Sequence, residues 1–383
     1  MRLRSAALFV LPVVSLSLAL PPSTAPAFAA GTCGRWKMVK SPKVGNNYGK
    51  LFGVSAVSAS NAWTVGFFYK SGYFRTLAEH WNGTAWGVQT TPNIGTQDQE
   101  QLEAVAAISR KNVWAVGYDS AFSSASTVIV HWNGSHWKLV PSPNPGTRNY
   151  LYGIVAISAT NLWAVGYSDH STLILHGNGR TWKIVTSPNP DMQNQLYAIA
   201  RVPGTTKLWA VGTGYQGGTI GDVTLIMRYS GGHWASVPSK SQGTSPTLFG
   251  VAAISSNNVW AVGRDFGSDS DREALVERWN GTHWSIVASP NINGAQLEGI
   301  VALSGRNIWM VGAYHNTTND HDETLVLHKT RTKFTRVNSP NPTASDNYFN
   351  GIGRVPSSTS LWAVGTTEPV TASSRPLIES YCP

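Results

Sequence analysis

Charged residues are scarce in this sequence, because Asp, Glu, Lys and Arg together make up only 13% of its 383 residues. The net charge is +9, but the basic residues are scattered apart from a short run at 329–333. A nucleic-acid-binding protein would collect such an excess in a basic stripe. Beyond residue 30, no stretch approaches the roughly 20 apolar residues that a membrane-spanning helix needs. These absences exclude nucleic acid as a partner and a membrane span.

Motifs of common enzymes and cofactors are also missing. The sequence has no Gly-x-Ser-x-Gly nucleophile elbow, no phosphate-binding loop, no zinc motif and no dinucleotide fingerprint. Its only cysteines are Cys33 and Cys382, and helix has almost no support after residue 30. We therefore expect no cofactor, and the sequence leaves open whether the protein is an enzyme.

The first 30 residues have the features of an export signal. Arg2 and Arg4 give a positive start, residues 6–20 form an apolar run, and Ala-Phe-Ala at 27–29 is a small-residue cleavage pattern. We expect a signal peptide over residues 1–30 and one domain over residues 31–383. The protein is then predicted to be secreted, extracellular and monomeric.

The phrase Trp-Ala-Val-Gly, with variations at Thr64 and Met310, occurs seven times at spacings of 46 to 53 residues. Its copies begin at Trp63, Trp114, Trp163, Trp209, Trp260, Trp309 and Trp362. A period near 50 residues indicates a stacked supersecondary unit, and four short strands per unit are typical of propellers. The sequence predicts an all-β, seven-bladed β-propeller with four antiparallel strands per blade and strand one innermost.

The second unit shows the strand pattern. Residues 102–109, 112–118, 127–132 and 137–140 are rich in apolar, β-branched and aromatic residues. Asn133-Gly134 lies between the third and fourth strands and predicts a two-residue hairpin, because both residues tolerate positive φ. All 16 tryptophans occupy three repeated positions, so none is left as a dedicated stacking platform for a sugar.

The two ends of the chain are predicted to share the last blade. Residues 34–39 match a fourth strand that no first strand precedes, and residues 377–382 match a third strand that no fourth strand follows. Superposition on unit five places Cys382 and Cys33 at the hairpin positions of Asn280 and Gly281. We expect a disulfide between them, which an exported protein can form.

Residues 109–117 and 131–144 combine Ser-x-x-Asn-x-Trp-Ala-Val-Gly with His-Trp-Asn-Gly-x-x-Trp and Ser-Pro-Asn. This pattern resembles secreted bacterial propellers of the galactose oxidase/kelch type. The resemblance implies architecture and no particular activity, because propellers host lectins, hydrolases, lyases, oxidases and adaptors alike. The copper chemistry of galactose oxidases is not carried over, because the disulfide uses both cysteines.

Loops of variable length join strand two to strand three and strand four to the next unit, and such loops usually house function. In units five and six they carry Arg264, Asp265 and His315, which are candidate ligand-binding residues. Asp320 and Asp322 could supply oxygen ligands for calcium. Neither loop has the Gly and Glu spacing of a calcium-binding loop, so we favour solvated loop charges and predict no metal site.

The first strands supply two further sets of candidates. Glu103 and Glu298 stand at a position that is aromatic in four other units, and a pair of carboxylates can act as general acid and base on a glycoside. Seven blades would place units two and six well apart around the ring, which counts against direct pairing of these two residues. The second set consists of Tyr residues, which offer sugars an apolar face and a hydroxyl, each preceded by Asn: Asn47-Tyr48, Asn149-Tyr150 and Asn347-Tyr348. The alternative is that Asn-Tyr only begins a strand.

These candidates predict a secreted propeller that binds an extracellular ligand at the variable-loop face, with carbohydrate as the favoured class. Two alternatives stay open. One is a glycoside hydrolase or polysaccharide lyase with its site at the channel mouth, and the other is a protein-interaction scaffold.

Overall fold

The structure is a computed structural model, which describes residues 33–45, 48–92, 94–95, 99–218, 220–240, 243–267, 272–369 and 373–383. The predicted export signal lies outside these residues. The described chain forms 28 β-strands and no helix. It therefore contains no helix long and apolar enough to cross a membrane.

The described strands form seven groups of four antiparallel strands, which are the blades. A single parallel pair, Phe74 with Gln99, joins blades one and two into one sheet. Strand β1 (Arg35–Met38) is the outermost strand of blade seven. Blade one contains β2 (Gly49–Ser58), β3 (Asn61–Lys70), β4 (Tyr73–Trp81) and β5 (Trp86–Gln89). Blade two contains β6 (Gln99–Ser109), β7 (Asn112–Ser120), β8 (Ala125–Trp132) and β9 (Trp137–Leu139). Blade three contains β10 (Asn149–Ser158), β11 (Asn161–Ser168), β12 (Ser171–Gly177) and β13 (Trp182–Ile184).

The remaining blades repeat this order. Blade four contains β14 (Gln193–Arg201), β15 (Leu208–Tyr215), β16 (Asp222–Ser230) and β17 (His233–Ser236). Blade five contains β18 (Thr247–Ser255), β19 (Asn258–Phe266), β20 (Arg272–Trp279) and β21 (Trp284–Ile286). Blade six contains β22 (Gln296–Ser304), β23 (Asn307–Asn316), β24 (His321–Lys329) and β25 (Phe334–Arg336). Blade seven contains β26 (Asp346–Arg354), β27 (Leu361–Glu368) and β28 (Arg375–Cys382), followed by β1.

The hydrophobic core is divided into seven clusters, each between two neighbouring blades. The repeated tryptophans join the blades in these clusters. Trp114 of blade two packs edge-on against Trp182 of blade three, with ring centroids 5.7 Å apart. Such T-shaped pairs are favoured by the ring quadrupole. Between blades five and six, where Phe334 replaces the second Trp, Lys329 Nζ lies 4.9 Å from the Trp260 ring.

The repeated Ser-x-x-Asn turn fixes the inner tryptophan. Asn112 Oδ1 accepts hydrogen bonds from Trp114 Nε1 and His131 Nε2, both at 2.9 Å. The His131 ring stacks on Trp114 with centroids 4.2 Å apart. Burial, with a smaller contribution from Lys138, lowers the pKa of His131. This arrangement recurs at Asn161, Trp163 and His176 and at Asn307, Trp309 and His328.

The prediction of a two-residue hairpin at Asn133-Gly134 is wrong. Trp132 pairs with Trp137, so four residues form the connection. Gly134 alone supplies the positive φ, at 101°. Asn133 instead uses its Oδ1 to accept hydrogen bonds from the backbone N–H groups of Ser135 and His136, at 3.0 and 3.1 Å. The Asn side chain therefore closes an Asx turn, which the dipeptide pattern does not distinguish from a tight hairpin.

The predicted closure of the ring is confirmed. Strand β1 pairs with β28, and Trp36 lies opposite Tyr381 as Trp284 lies opposite Trp279 in blade five. The Cys33–Cys382 disulfide joins the two ends at the hairpin position, with its Cα atoms 5.0 Å apart. Both ends of the described part of the chain are thereby held in blade seven.

Candidate ligand site at the channel mouth

Every first strand has a register shift at the same place. In blade two the shift lies between Leu102 and Ala104, and equivalent shifts occur in the other six blades. A bulge adds one residue to a strand and redirects its side chain. The bulged residues are Phe52, Glu103, Tyr152, Tyr197, Phe249, Glu298 and Asn350, and all seven line a central cavity of about 450 Å³. The first strands therefore line the channel, as predicted.

Tyr152 and Tyr197 line this cavity, and three more tyrosines contact the ring of Tyr152. We call the five residues the tyrosine cluster: Tyr118, Tyr150, Tyr152, Tyr167 and Tyr197. Ring centroids are 4.7 Å apart for Tyr118 and Tyr150, and 4.8 Å apart for Tyr150 and Tyr167. Tyr152 lies 5.3 Å from Tyr197. All five side chains are half-buried. They belong to the beginnings of first strands and the ends of second strands, which place them at the variable-loop face.

Glu103 stands beside this cluster on the channel wall. Its Oε1 accepts a hydrogen bond from Gln101 Nε2 at 2.5 Å, and the same amide contacts the Tyr118 hydroxyl. Burial raises the pKa of Glu103 to about 7. Burial also raises the pKa of Tyr118 and Tyr152, so both phenols stay neutral at physiological pH. The site combines aromatic faces, hydroxyl groups and a carboxyl that is half protonated near neutrality.

The opposite side of the channel carries positive charge. Burial raises the pKa of Glu298 to about 7, against the charges of Arg264 and Arg272, which favour its ionised form. The Arg264 guanidinium lies 5.4 Å from the centroid of the Phe249 ring. The two glutamates thus share one channel but have different electrostatic surroundings.

Asn149 and Asn347 are buried at the beginnings of their first strands. Asn149 Nδ2 donates to the carbonyls of Ala125 and Gly146 at 3.0 and 2.8 Å, and its Oδ1 accepts from Gly146 N and Ser168 Oγ. Asn347 is also buried and donates to the Thr343 carbonyl at 3.2 Å. The side-chain amides of both residues therefore already form hydrogen bonds within the protein. Asn47 lies outside the described residues.

The three predicted Tyr residues have different neighbours. Tyr150 belongs to the tyrosine cluster. Tyr48 packs in blade one against Phe67 and Phe74, with centroids 6.0 and 5.9 Å away. Tyr348 is half-buried in blade seven, and burial, followed by the charge of Asp322, raises its pKa. The structure therefore does not bring these three residues into one contact.

The charged loop candidates form ion pairs and turns. Asp265 is buried and accepts a hydrogen bond from Phe266 N at 2.8 Å. His315 lies between Asp320 and Asp322, with nitrogen–oxygen distances of 3.5 and 3.2 Å. Asp322 also pairs with Arg272 at 2.7 Å. Among the described residues, no group of three or more His, Cys, Asp or Glu side chains could hold a metal ion.

Sequence reasoning missed Tyr118, Tyr167 and the neighbouring Gln101. A signal for the two tyrosines was present, because each directly follows the Gly of a Trp-Ala-Val-Gly phrase. That position varies among the units while the phrase itself is fixed. Variation at one position of a fixed repeat could have identified them.

Comparisons with known proteins show the fold alone. No protein-family model and no curated protein matches this chain. YCF48 from Cyanidioschyzon merolae is 14% identical, with 91% of this chain and 99% of that chain covered and a TM-score of 0.55. A protein of unknown function from Dyadobacter fermentans is 8% identical, with 91% and 98% covered and a TM-score of 0.53. The extracellular domain of BT4673 from B. thetaiotaomicron is 11% identical, with 91% and 40% covered and a TM-score of 0.53. The chain is therefore similar in fold to these β-propeller proteins.

Proposed function

We propose that this chain is a secreted β-propeller that binds an extracellular carbohydrate at the channel mouth on its variable-loop face. The observation that carries the proposal is the tyrosine cluster beside Glu103 and Gln101. Ligand sites are typically concave and largely apolar, with a few convergent polar groups. Half-buried tyrosines supply ring faces for sugar C–H groups and hydroxyls for sugar oxygens.

The proposal includes the export signal over residues 1–30, a single domain over residues 31–383 and an affinity with kelch-type propellers. The Cys33–Cys382 disulfide supports an oxidising, extracellular location, because disulfides persist there. An extracellular domain among the structures of similar fold agrees with this location.

A glycan array on the purified protein tests the proposal. We compare the wild type with Tyr150→Ala, which removes the central ring of the cluster, and with Tyr73→Ala, an exposed tyrosine of blade one that serves as a matched control. Loss of the Tyr150 ring should weaken binding at least tenfold, equivalent to about 1.4 kcal/mol. Tyr73→Ala should bind as the wild type does. Equal binding by Tyr150→Ala, with its fold verified by circular dichroism, would rule out this site.

A glycoside hydrolase or lyase is the second candidate function. It is favoured by Glu103 and Glu298, which face one channel and both have a pKa raised to about 7. A carboxyl with such a pKa can act as a general acid or base near neutral pH. A polysaccharide turnover screen tests this function, and Glu298→Gln should abolish any turnover found. Silence in both assays, with a protein partner recovered by pull-down, would favour a scaffold.

A further inference from the structure

We infer that the pocket beside Glu103 receives the protonated amino group of an amino sugar. This inference rests on the proposed carbohydrate function and names the class of glycan: an oligosaccharide of hexosamine units with free amino groups. An organic ammonium is attracted to the negative face of an aromatic ring and to the opposite charge of a carboxylate.

The first observation is that Glu103 lacks a positive partner. Among the residues that the structure describes, no Lys, Arg or His forms an ion pair with Glu103. Other carboxylates near the variable-loop face do have one: Glu100 pairs with Arg75 at 2.8 Å, and Glu368 pairs with Lys50. Across the channel, Arg264 and Arg272 act on Glu298.

The second observation is that ligand can reach Glu103. The glutamates Glu79, Glu277 and Glu379 are also buried, but their side chains are fully enclosed between blades. Glu103 is half-buried and lines the central cavity together with Tyr152. Its single hydrogen bond comes from the neutral amide of Gln101. A carboxylate that faces a cavity with only a neutral donor is a site for a ligand's positive charge.

The third observation concerns the groups around Glu103. Tyr118 and Tyr152 both interact electrostatically with Glu103, and both are neutral because burial raises their pKa. On the adjoining strand of blade one the charged residue is Lys50, which is paired with Glu368. Arg148 lies next to Tyr167 and is exposed. Asp119, on the neighbouring strand, is buried near Glu100.

The same tyrosines favour a cation chemically. The negative face of a Tyr ring attracts an ammonium within about 6 Å of its centroid. Tyr118 and Tyr150 stand at an interplanar angle of 79°, so the cluster presents ring faces in more than one direction. Glu103, which lies on the channel wall, then neutralises the positive charge of the ammonium.

Isothermal titration calorimetry with two matched tetramers tests the inference. One is the β-1,4-linked tetramer of glucosamine, and the other is its fully N-acetylated form, which has the same length and no positive charge. The titrations run in 0.15 M salt, where the Debye length is about 8 Å, so the overall positive charge of the protein has little effect. We expect the wild type to bind the free-amine tetramer at least tenfold more tightly.

Two variants test whether Glu103 causes the preference for the free-amine tetramer. Glu103→Gln should remove the preference, so that both tetramers bind with similar affinity, while Glu277→Gln, a buried glutamate outside the channel, should keep it. Thermal melts confirm that both variants fold. Tyr150→Ala should weaken the binding of both tetramers, and that of the free-amine tetramer at least as much, because the ring contacts the sugar and also attracts the ammonium. A preference that survives in Glu103→Gln, or equal affinity for the two tetramers in the wild type, overturns the inference.

Proton linkage gives a second, independent readout. An N,N,N-trimethylated glucosamine tetramer keeps its charge at every pH, so only the protein titrates. Because the pKa of Glu103 is about 7, affinity should rise about tenfold from pH 6 to pH 8. The Glu103→Gln variant should show no such rise, and a flat profile in the wild type would contradict the inference.

The proposed function and this inference can fail separately. If neither tetramer binds while the array shows other glycans at the tyrosine cluster, the inference is wrong and the carbohydrate function stands. If no glycan binds at all, both are wrong.

Discussion

Removal of the Cys33–Cys382 disulfide should destabilise the whole propeller, because this bond crosslinks β1 and β28, the two strands that close the ring. The double variant Cys33→Ser/Cys382→Ser removes it without leaving a free thiol. The crosslink spans 349 residues, for which the chain-entropy relation gives about 6 kcal/mol. Measured contributions are usually smaller, and the four residue pairs between β1 and β28 remain. We expect a loss of about 2–5 kcal/mol in the free energy of unfolding.

Equilibrium unfolding in urea, followed by tryptophan fluorescence, measures this loss. The midpoint should fall, and the m-value should rise, because an uncrosslinked chain exposes more surface when it unfolds. Circular dichroism of the folded variant should match the wild type. An unchanged midpoint would refute the closure argument, as would two reactive thiols in a titration of the native wild-type protein.

Three further predictions concern the blades. Trp114→Ala should lower the free energy of unfolding by about 3–5 kcal/mol in denaturant titrations, because it removes a buried ring between blades two and three. A loss below about 1 kcal/mol would contradict the view that this ring holds the two blades together. In the folded state, burial lowers the pKa of His131 from 6.5. As the pH falls below about 6.5, the unfolded chain therefore binds more protons than the folded protein does, and the free energy of unfolding should fall. A pH series of urea midpoints should show a smaller acid loss for His131→Gln. Burial raises the pKa of Glu379 to about 9, so its stabilising contribution is full below about pH 4.5 and is lost as pH rises to about 9. Glu379→Gln should therefore raise the urea midpoint at pH 8 and leave it nearly unchanged at pH 4; equal midpoints at pH 8 would count against the shift.

The fold could be predicted because each blade repeats the same strand pattern with tryptophans at the same positions. In four blades the inner Trp donates a hydrogen bond to an Asn of its own turn. In six blades it packs against a Trp of the next blade, so both positions recur in the sequence. The shared last blade could be predicted because residues 34–39 and 377–382 supply complementary halves of one unit. The hairpin was mispredicted because Asn-Gly fits both a two-residue turn and an Asx-closed loop of four residues.

The candidate site could be predicted only in part. Asn149 and Tyr150 are adjacent in a strand, and adjacent side chains point to opposite faces; one therefore enters the loop and the other the tyrosine cluster. Tyr167 pairs directly with Tyr150 across the sheet, but the contact between Tyr118 and Tyr150 joins two blades. No pattern along the chain reveals that contact. Glu103 was noticed as an exception to an aromatic position, whereas its bulge and its lack of a cation required the structure.

A crystal structure of the protein with the tightest-binding glycan from the array is the most direct test of the proposed site. We predict that the sugar rings lie against Tyr118, Tyr150 and Tyr167 at the variable-loop face, with the ligand reaching toward Glu103 in the channel. A glycan bound at the opposite face, or along the outer strands of the blades, would contradict the proposal.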